Sequence, residues 1–126
     1  MDKTILLVDD EPDMLEMLSM RLTKAGYKII TSVTGEECLQ KAEKVYPDLI
    51  LLDILLPGMS GFEVARQLKT KEVTRNIPII MVTALIGEDP KAKGLERGAD
   101  YFISKPFDTE ELLSTIKTIL EKGNKK

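Results

Sequence analysis

The sequence contains no histidine, no tryptophan and only one cysteine among its 126 residues. Without histidine, the Ser-His and Cys-His nucleophile pairs and the common zinc sites of enzymes are excluded. A single cysteine also excludes an internal disulfide bond. Cys38 stands at an apolar position of a predicted helix, so we expect a buried thiol there. Any chemistry must therefore rest on carboxylates, lysine, hydroxyl groups and the backbone.

The sequence also lacks a long apolar run and a cluster of basic residues. No segment is long enough to span a membrane and no signal or transit peptide is visible, so we expect a cytoplasmic protein without a membrane partner. The formal net charge of −3 argues against nucleic-acid binding by this domain alone. The length fits a single domain, which we place at residues 1–122, followed by a polar, basic tail over residues 123–126.

The most apolar stretch of the chain spans residues 49–58 and carries a carboxylate in its middle. Four apolar residues bounded by Pro47-Asp48 and Pro57-Gly58 predict a strand buried on both faces, although a short buried helix has the same pattern. Asp53 follows this run directly. An ionised aspartate there needs a neighbouring charge or hydrogen bonds. We favour a functional role for Asp53 over a simple cap of the following turn.

Five apolar strands alternate with five predicted helices along the chain. This alternation predicts an α/β fold with a doubly wound five-stranded parallel sheet and right-handed crossovers. The weakest helix is the one predicted between Asp89 and Gly98, because Gly94 lies inside it. The second helix has an apolar stripe that ends at Val45. The strands are predicted at residues 4–8, 27–31, 49–52, 79–82 and 101–104.

Nearly all of the candidate functional residues follow the carboxyl ends of these strands. In a parallel sheet these ends share one edge, where active sites of such folds lie. Each residue alone has a plain explanation, such as a helix cap, a turn hydroxyl or a solvated charge, but a chance convergence of all of them is improbable. Clustered carboxylates favour Mg²⁺, and an aspartate can act as a nucleophile toward phosphorus. The residues are Asp9, Asp10, Asp53, Thr83 and Lys105.

Four motifs together make the chain resemble the receiver domains of two-component response regulators. The resemblance covers nearly the whole chain and implies a flavodoxin-like fold with strand order 2-1-3-4-5. It implies Asp53 as the phosphoacceptor and Mg²⁺ bound by Asp9, Asp10, Asp53 and the Leu55 carbonyl. Thr83 and Lys105 would then contact the phosphoryl group. The motifs are Val8-Asp9-Asp10-Glu11-Pro12, Leu51-Leu52-Asp53 with Pro57-Gly58-Met59-Ser60-Gly61, Val82-Thr83-Ala84, and Ser104-Lys105-Pro106-Phe107.

The resemblance also implies a switch and partners. Phe102 takes the place of the aromatic residue that reorients together with Thr83, and the Lys105-Pro106 bond would be cis. A histidine kinase or histidine phosphotransfer protein would be the donor, and a downstream output domain or protein the target. The expected output face combines the predicted helix at 89–98, the fifth strand and the last helix, in a monomer or a phosphorylation-promoted dimer. Leu55 and Leu85 would flank the path of the attacking water.

Two other classes of protein share parts of this pattern. A haloacid-dehalogenase-type phosphatase also uses an aspartate at a strand end, but it needs a second aspartate two residues later, where this chain has Leu55. A flavodoxin-like flavin carrier needs a phosphate-binding loop after the first strand. Here that loop is Asp9-Asp10-Glu11, which would repel a phosphate.

Overall fold

The computed structural model describes residues 2–84 and 98–123. Within this part of the chain there are five strands and four helices, which alternate except between the fourth and fifth strands, and this agrees with the predicted α/β class. The predicted helix at 89–98 falls mostly outside the described residues. The strands are β1 Thr4–Val8, β2 Lys28–Ser32, β3 Leu49–Leu52, β4 Ile79–Thr83 and β5 Tyr101–Ser104, and the helices are α1 Pro12–Lys24, α2 Gly35–Val45, α3 Gly61–Thr70 and α4 Thr109–Gly123.

All neighbouring strands pair in parallel, and their order in the sheet is β2-β1-β3-β4-β5. This confirms the predicted strand order. The second strand begins one residue later than predicted. Tyr27 donates its backbone N–H to Leu22 O at 3.1 Å and so lies in the turn that closes the end of α1. The ladder starts instead at Lys28, which donates to Lys3 O at 2.9 Å.

The sheet has a hydrophobic core on each face. One core packs α2 and α3 against the sheet, and the other packs α1 and α4 against the opposite face. Side chains alternate between the two, so that Ile50 and Leu52 face α2 and α3 whereas Leu49 and Leu51 face the other side. Continuing this alternation past Leu52 turns Asp53 toward α1 and α4. The same alternation after Val8 turns Asp9 to that side.

Two helices begin with the hydrogen bond that a Ser or Thr cap provides. Thr34 Oγ1 accepts from Glu37 N at 3.1 Å, and Ser60 Oγ accepts from Glu63 N at 3.3 Å. Each of these bonds is the half of a capping box that the cap side chain makes. The Glu37 carboxylate accepts from Val33 N at 2.9 Å, one residue before the cap Thr34.

The α2 stripe buries Cys38 completely, as predicted. Burial raises the pKa of its thiol to about 12. The prediction for Val45 was wrong, since this side chain is 41% exposed. Val45 is the last residue of α2, and the next residue, Tyr46, adopts the left-handed conformation that ends the helix. The core contact is lost where the helix stops.

Candidate functional site

Three aspartates lie together at the carboxyl edge of the sheet. Asp9 and Asp10 follow β1, and Asp53 follows the neighbouring strand β3. One carboxylate oxygen from each lies within 4.8 Å of the others. Asp9 and Asp53 are each only 5% exposed, whereas Asp10 is exposed. The site therefore has two buried acids and one acid that opens to solvent.

Lys105 joins this cluster from the far end of the sequence. Its Nζ lies 2.8 Å from Asp9 Oδ2 and 3.3 Å from Asp53 Oδ2. The backbone positions it, because Lys105 N donates to Thr83 O at 2.7 Å and extends the pairing of β4 with β5 by one residue. The Lys105-Pro106 peptide bond is cis. The ammonium thus lies between two buried carboxylates, where water screens it little.

The Asp53 carboxylate is oriented by the turn that follows β3. Its Oδ1 accepts from Leu55 N at 3.1 Å. Ile54 O accepts from both Leu56 N at 3.0 Å and Gly61 N at 2.9 Å, which fixes the turn and the start of α3 against each other. One oxygen of Asp53 is therefore held by the backbone, and the other contacts Lys105.

The electrostatics of the site follow from burial and these contacts. Burial raises the pKa of Asp53, and the nearby Asp9 adds to the rise, while the Leu55 N–H and the Lys105 charge oppose it. For Lys105, burial alone would lower the pKa. The hydrogen bond to Asp9 and the charges of Asp53 and Asp9 overcome this effect and raise it. Lys105 therefore remains a cation at neutral pH.

Four other residues were predicted to take part in the site, and three of them lie within the described part of the chain. Thr83 is fully buried at the end of β4. Phe102 is partly buried and packs against the core formed with α2 and α3. The Leu55 side chain is 51% exposed beside the site. Leu85 lies outside the described residues.

Glu11, which was not among the predicted site residues, also approaches the cluster. Its Oε1 lies 3.4 Å from Lys105 Nζ, although its side chain is 65% exposed. The only signal for it was its position as the third acid after β1. Because the carboxylate is exposed, its contact with Lys105 contributes little to stability.

The donor set fits a hard divalent cation. Three carboxylates and no nitrogen or sulfur ligand form the cluster in the described part of the chain. Oxygen ligands with one acid open to solvent suit Mg²⁺, which keeps several waters and accepts phosphate oxygens. A parallel α/β sheet with such an acidic pocket and a lysine beside it defines a phosphoaspartate-type signalling domain.

Comparison with known proteins agrees with this class. The family described as "Response regulator receiver domain" matches residues 5–117. The chain is 48% identical over 120 residues to the phosphate regulon transcriptional regulatory protein PhoB of Pseudomonas aeruginosa, covering 95% of this chain and 52% of that protein. It is 44% identical over 123 residues to the alkaline phosphatase synthesis transcriptional regulatory protein PhoP of Bacillus subtilis, covering 98% of this chain and 50% of that protein.

A solved structure shows the same fold. The CheY-like response regulator receiver domain protein of Methanospirillum hungatei superposes with a TM-score of 0.93 at 33% identity, covering 99% of this chain and 98% of that one. The chain therefore belongs to the response regulator receiver domain family. Receiver domains act as signalling switches and do not turn over a separate substrate.

The chain spans about half the length of the curated relatives described above. Among the described residues, no helix has both the length and the apolar character needed to cross a membrane.

Proposed function

We propose that Asp53 accepts a phosphoryl group from a histidine kinase or a histidine phosphotransfer protein in a magnesium-dependent reaction. The observation that carries this proposal is the contact of Lys105 Nζ with both Asp9 and Asp53, beside the exposed Asp10. Phosphoryl transfer needs positioning and charge neutralisation more than acid–base groups. A site of carboxylates and one lysine supplies both without histidine.

Each residue has a distinct part in the proposed reaction. An Asp53 oxygen forms a bond to phosphorus while the bond from phosphorus to the donor histidine nitrogen breaks, and that nitrogen keeps the electron pair. Asp9, Asp10, Asp53 and the Leu55 carbonyl would hold Mg²⁺. The ion would neutralise charge on the phosphoryl oxygens. Lys105 offsets a further part of that charge, and the Thr83 hydroxyl donates a hydrogen bond to the group.

The proposed output is a change on one side of the domain. Thr83 moves toward the phosphoryl group and leaves space for Phe102 to turn inward. Support comes from their positions on the adjacent strands β4 and β5, where Thr83 pairs with Ser104 and Met81 with Phe102. The face made by β5, α4 and the predicted helix at 89–98 then regulates a downstream output domain or protein. The coupling is a population shift worth roughly 1–3 kcal/mol.

The proposed receiver domain spans residues 1–122, with residues 123–126 as a polar, basic tail. It acts in the cytoplasm, as a monomer or as a dimer promoted by phosphorylation, and by itself binds neither nucleic acid nor a membrane. The net charge of −3 supports the absence of nucleic-acid binding by this domain alone.

Intact-mass analysis tests the phosphorylation directly. Incubation with acetyl phosphate and Mg²⁺ should add one phosphoryl group to the parent protein. Asp53→Asn should add none, and neither should the parent in a chelator. Asp13→Asn is the matched control, since Asp13 is an exposed acid of the first turn of α1. A phosphorylated Asp53→Asn variant, or a reaction that ignores the chelator, would contradict the proposal.

A further inference from the structure

We propose that Gly61 is a positioning residue for the Asp53 site, and that it acts by having no side chain. The inference rests on the proposed function above and extends it to the first residue of α3. Gly61 is not among the residues proposed to hold the metal or to contact the phosphoryl group. Its effect passes through the main chain of Asp53 and Ile54, against which it packs.

The space at Gly61 is too small for any other residue. A Cβ built there would lie 2.3 Å from the Asp53 carbonyl oxygen, 2.7 Å from Ile54 Cα and 3.0 Å from the Asp53 carbonyl carbon. These atoms are all backbone, so no flexible side chain can move aside. Gly61 is not among the described glycines with positive φ. Space, and not backbone conformation, is therefore the reason for glycine, although glycine weakens a helix relative to alanine.

The contact is coupled to the orientation of the phosphoacceptor. Gly61 N donates to Ile54 O at 2.9 Å, and Leu56 N donates to the same oxygen at 3.0 Å. The turn closed in this way presents Leu55 N to Asp53 Oδ1 at 3.1 Å. It also sets the direction of the Leu55 carbonyl. Moving the start of α3 away from Asp53 would therefore shift the carboxylate and this carbonyl together.

The chain offers a matched control in Gly35. Gly35 is the first residue of α2 and follows the cap Thr34, just as Gly61 is the first residue of α3 and follows Ser60. A Cβ at Gly35 would also be crowded, at 2.6 Å from Val64 Cγ2 and 3.2 Å from Met59 Cβ. Those two atoms belong to the side chains of α3 and of the loop before it, and the third close atom is the Met59 carbonyl oxygen at 3.3 Å. Gly35→Ala thus crowds α3 and the loop before it, and none of its three closest contacts is with Asp53 or Ile54.

The experiment compares Gly61→Ala, Gly35→Ala and the parent at a temperature where far-UV circular dichroism shows all three folded. Isothermal titration with MgCl₂ measures metal affinity, and the phosphorylation rate is followed as a function of acetyl phosphate concentration. Relieving the crowding needs a shift of about 1 Å, and misplacement on that scale can cost about 100-fold. We expect Gly61→Ala to weaken magnesium binding and slow the saturating phosphorylation rate by about tenfold or more, and Gly35→Ala to stay within about twofold of the parent.

Equal effects of the two variants on magnesium binding and rate would overturn the proposal. If Gly61→Ala is unfolded in buffer, the comparison is repeated in trimethylamine N-oxide, which favours compact states. A Gly61→Ala protein that stays unfolded there while Gly35→Ala folds would also overturn it, because the glycine would then serve folding alone. A parent that binds Mg²⁺ but is never phosphorylated would refute the proposed function, while the binding data would still decide the role of Gly61.

Discussion

Replacing Lys105 with methionine removes the cation between Asp9 and Asp53 and keeps an unbranched side chain of similar length. The Lys105 side chain is 11% exposed, and the side chains of Asp9 and Asp53 are 7% and 6% exposed. The variant therefore leaves two buried carboxylates without their cation. Removing one partner of a buried ion pair costs about 3–5 kcal/mol.

Two backbone contacts limit the loss. Asp53 Oδ1 keeps its bond from Leu55 N at 3.1 Å, and Asp9 Oδ1 keeps its bond from Glu11 N at 2.9 Å. We therefore expect a fall in the free energy of unfolding near the lower end of that range, about 3 kcal/mol at pH 7. The loss should shrink in acid. The carboxyl groups are then protonated, and the pKa of Asp53, already raised by burial, rises further without Lys105.

Urea denaturation followed by circular dichroism, in a chelator that removes Mg²⁺, measures this loss. Lys71→Met is the control, because Lys71 Nζ also lies 2.8 Å from a carboxylate oxygen, Glu43 Oε2, but both side chains are more than 40% exposed. An exposed pair of this kind is worth about 1 kcal/mol or less. If Lys105→Met costs no more than Lys71→Met, the reasoning from burial is refuted.

Three further predictions concern the acids and the leucines of the site. Asp10→Ala should be at least as stable as the parent without metal but should lose most of the magnesium-dependent rise in melting temperature, whereas an unchanged rise would exclude Asp10 as a ligand. Burial raises the pKa of Asp53, so the folded state keeps this proton to higher pH than the unfolded chain. Asp53→Asn should thus raise the urea midpoint at pH 7, and this gain should vanish below about pH 4. An equal gain at pH 7 and below pH 4 would show that burial of the ionised Asp53 carboxylate is not its cause. Leu55→Asn and Leu85→Glu should speed first-order loss of the phosphoryl group, and a tenfold faster loss needs an activation free energy lower by only about 1.4 kcal/mol. If neither variant loses the group faster than the parent, these leucines do not set the lifetime of the phosphorylated state.

The meeting of distant residues at one edge was predictable because it depends only on topology. Buried apolar strands that alternate with helices favour a parallel sheet, and parallel strands carry their carboxyl ends to the same edge. Asp9 and Lys105 are separated by 96 positions in sequence, yet their charged atoms lie 2.8 Å apart. Strand lengths and polar strand ends contain this information without any detail of packing.

The contacts that depend on packing could not be predicted in this way. Two such contacts depend on side-chain rotamers that are set by the packing of neighbouring atoms. They are the hydrogen bond from Val33 N to the Glu37 carboxylate and the 3.4 Å contact of Glu11 with Lys105. The crowding at Gly61 comes from a main-chain contact with Asp53, and no side-chain pattern records it. Val45 fits an apolar stripe but lies where α2 ends, and helix ends are the least certain feature of a periodic pattern.

The buried Cys38 gives this protein a built-in reporter of opening. Thiolate is the reactive form, and a pKa of about 12 leaves almost none of it at neutral pH. Thiol reagents should therefore modify the native protein only when the layer formed by α2 and α3 separates from the sheet. The labelling rate would then measure how often that layer opens. For the same reason, a second cysteine introduced on the surface could be labelled with a fluorophore while Cys38 stays unmodified.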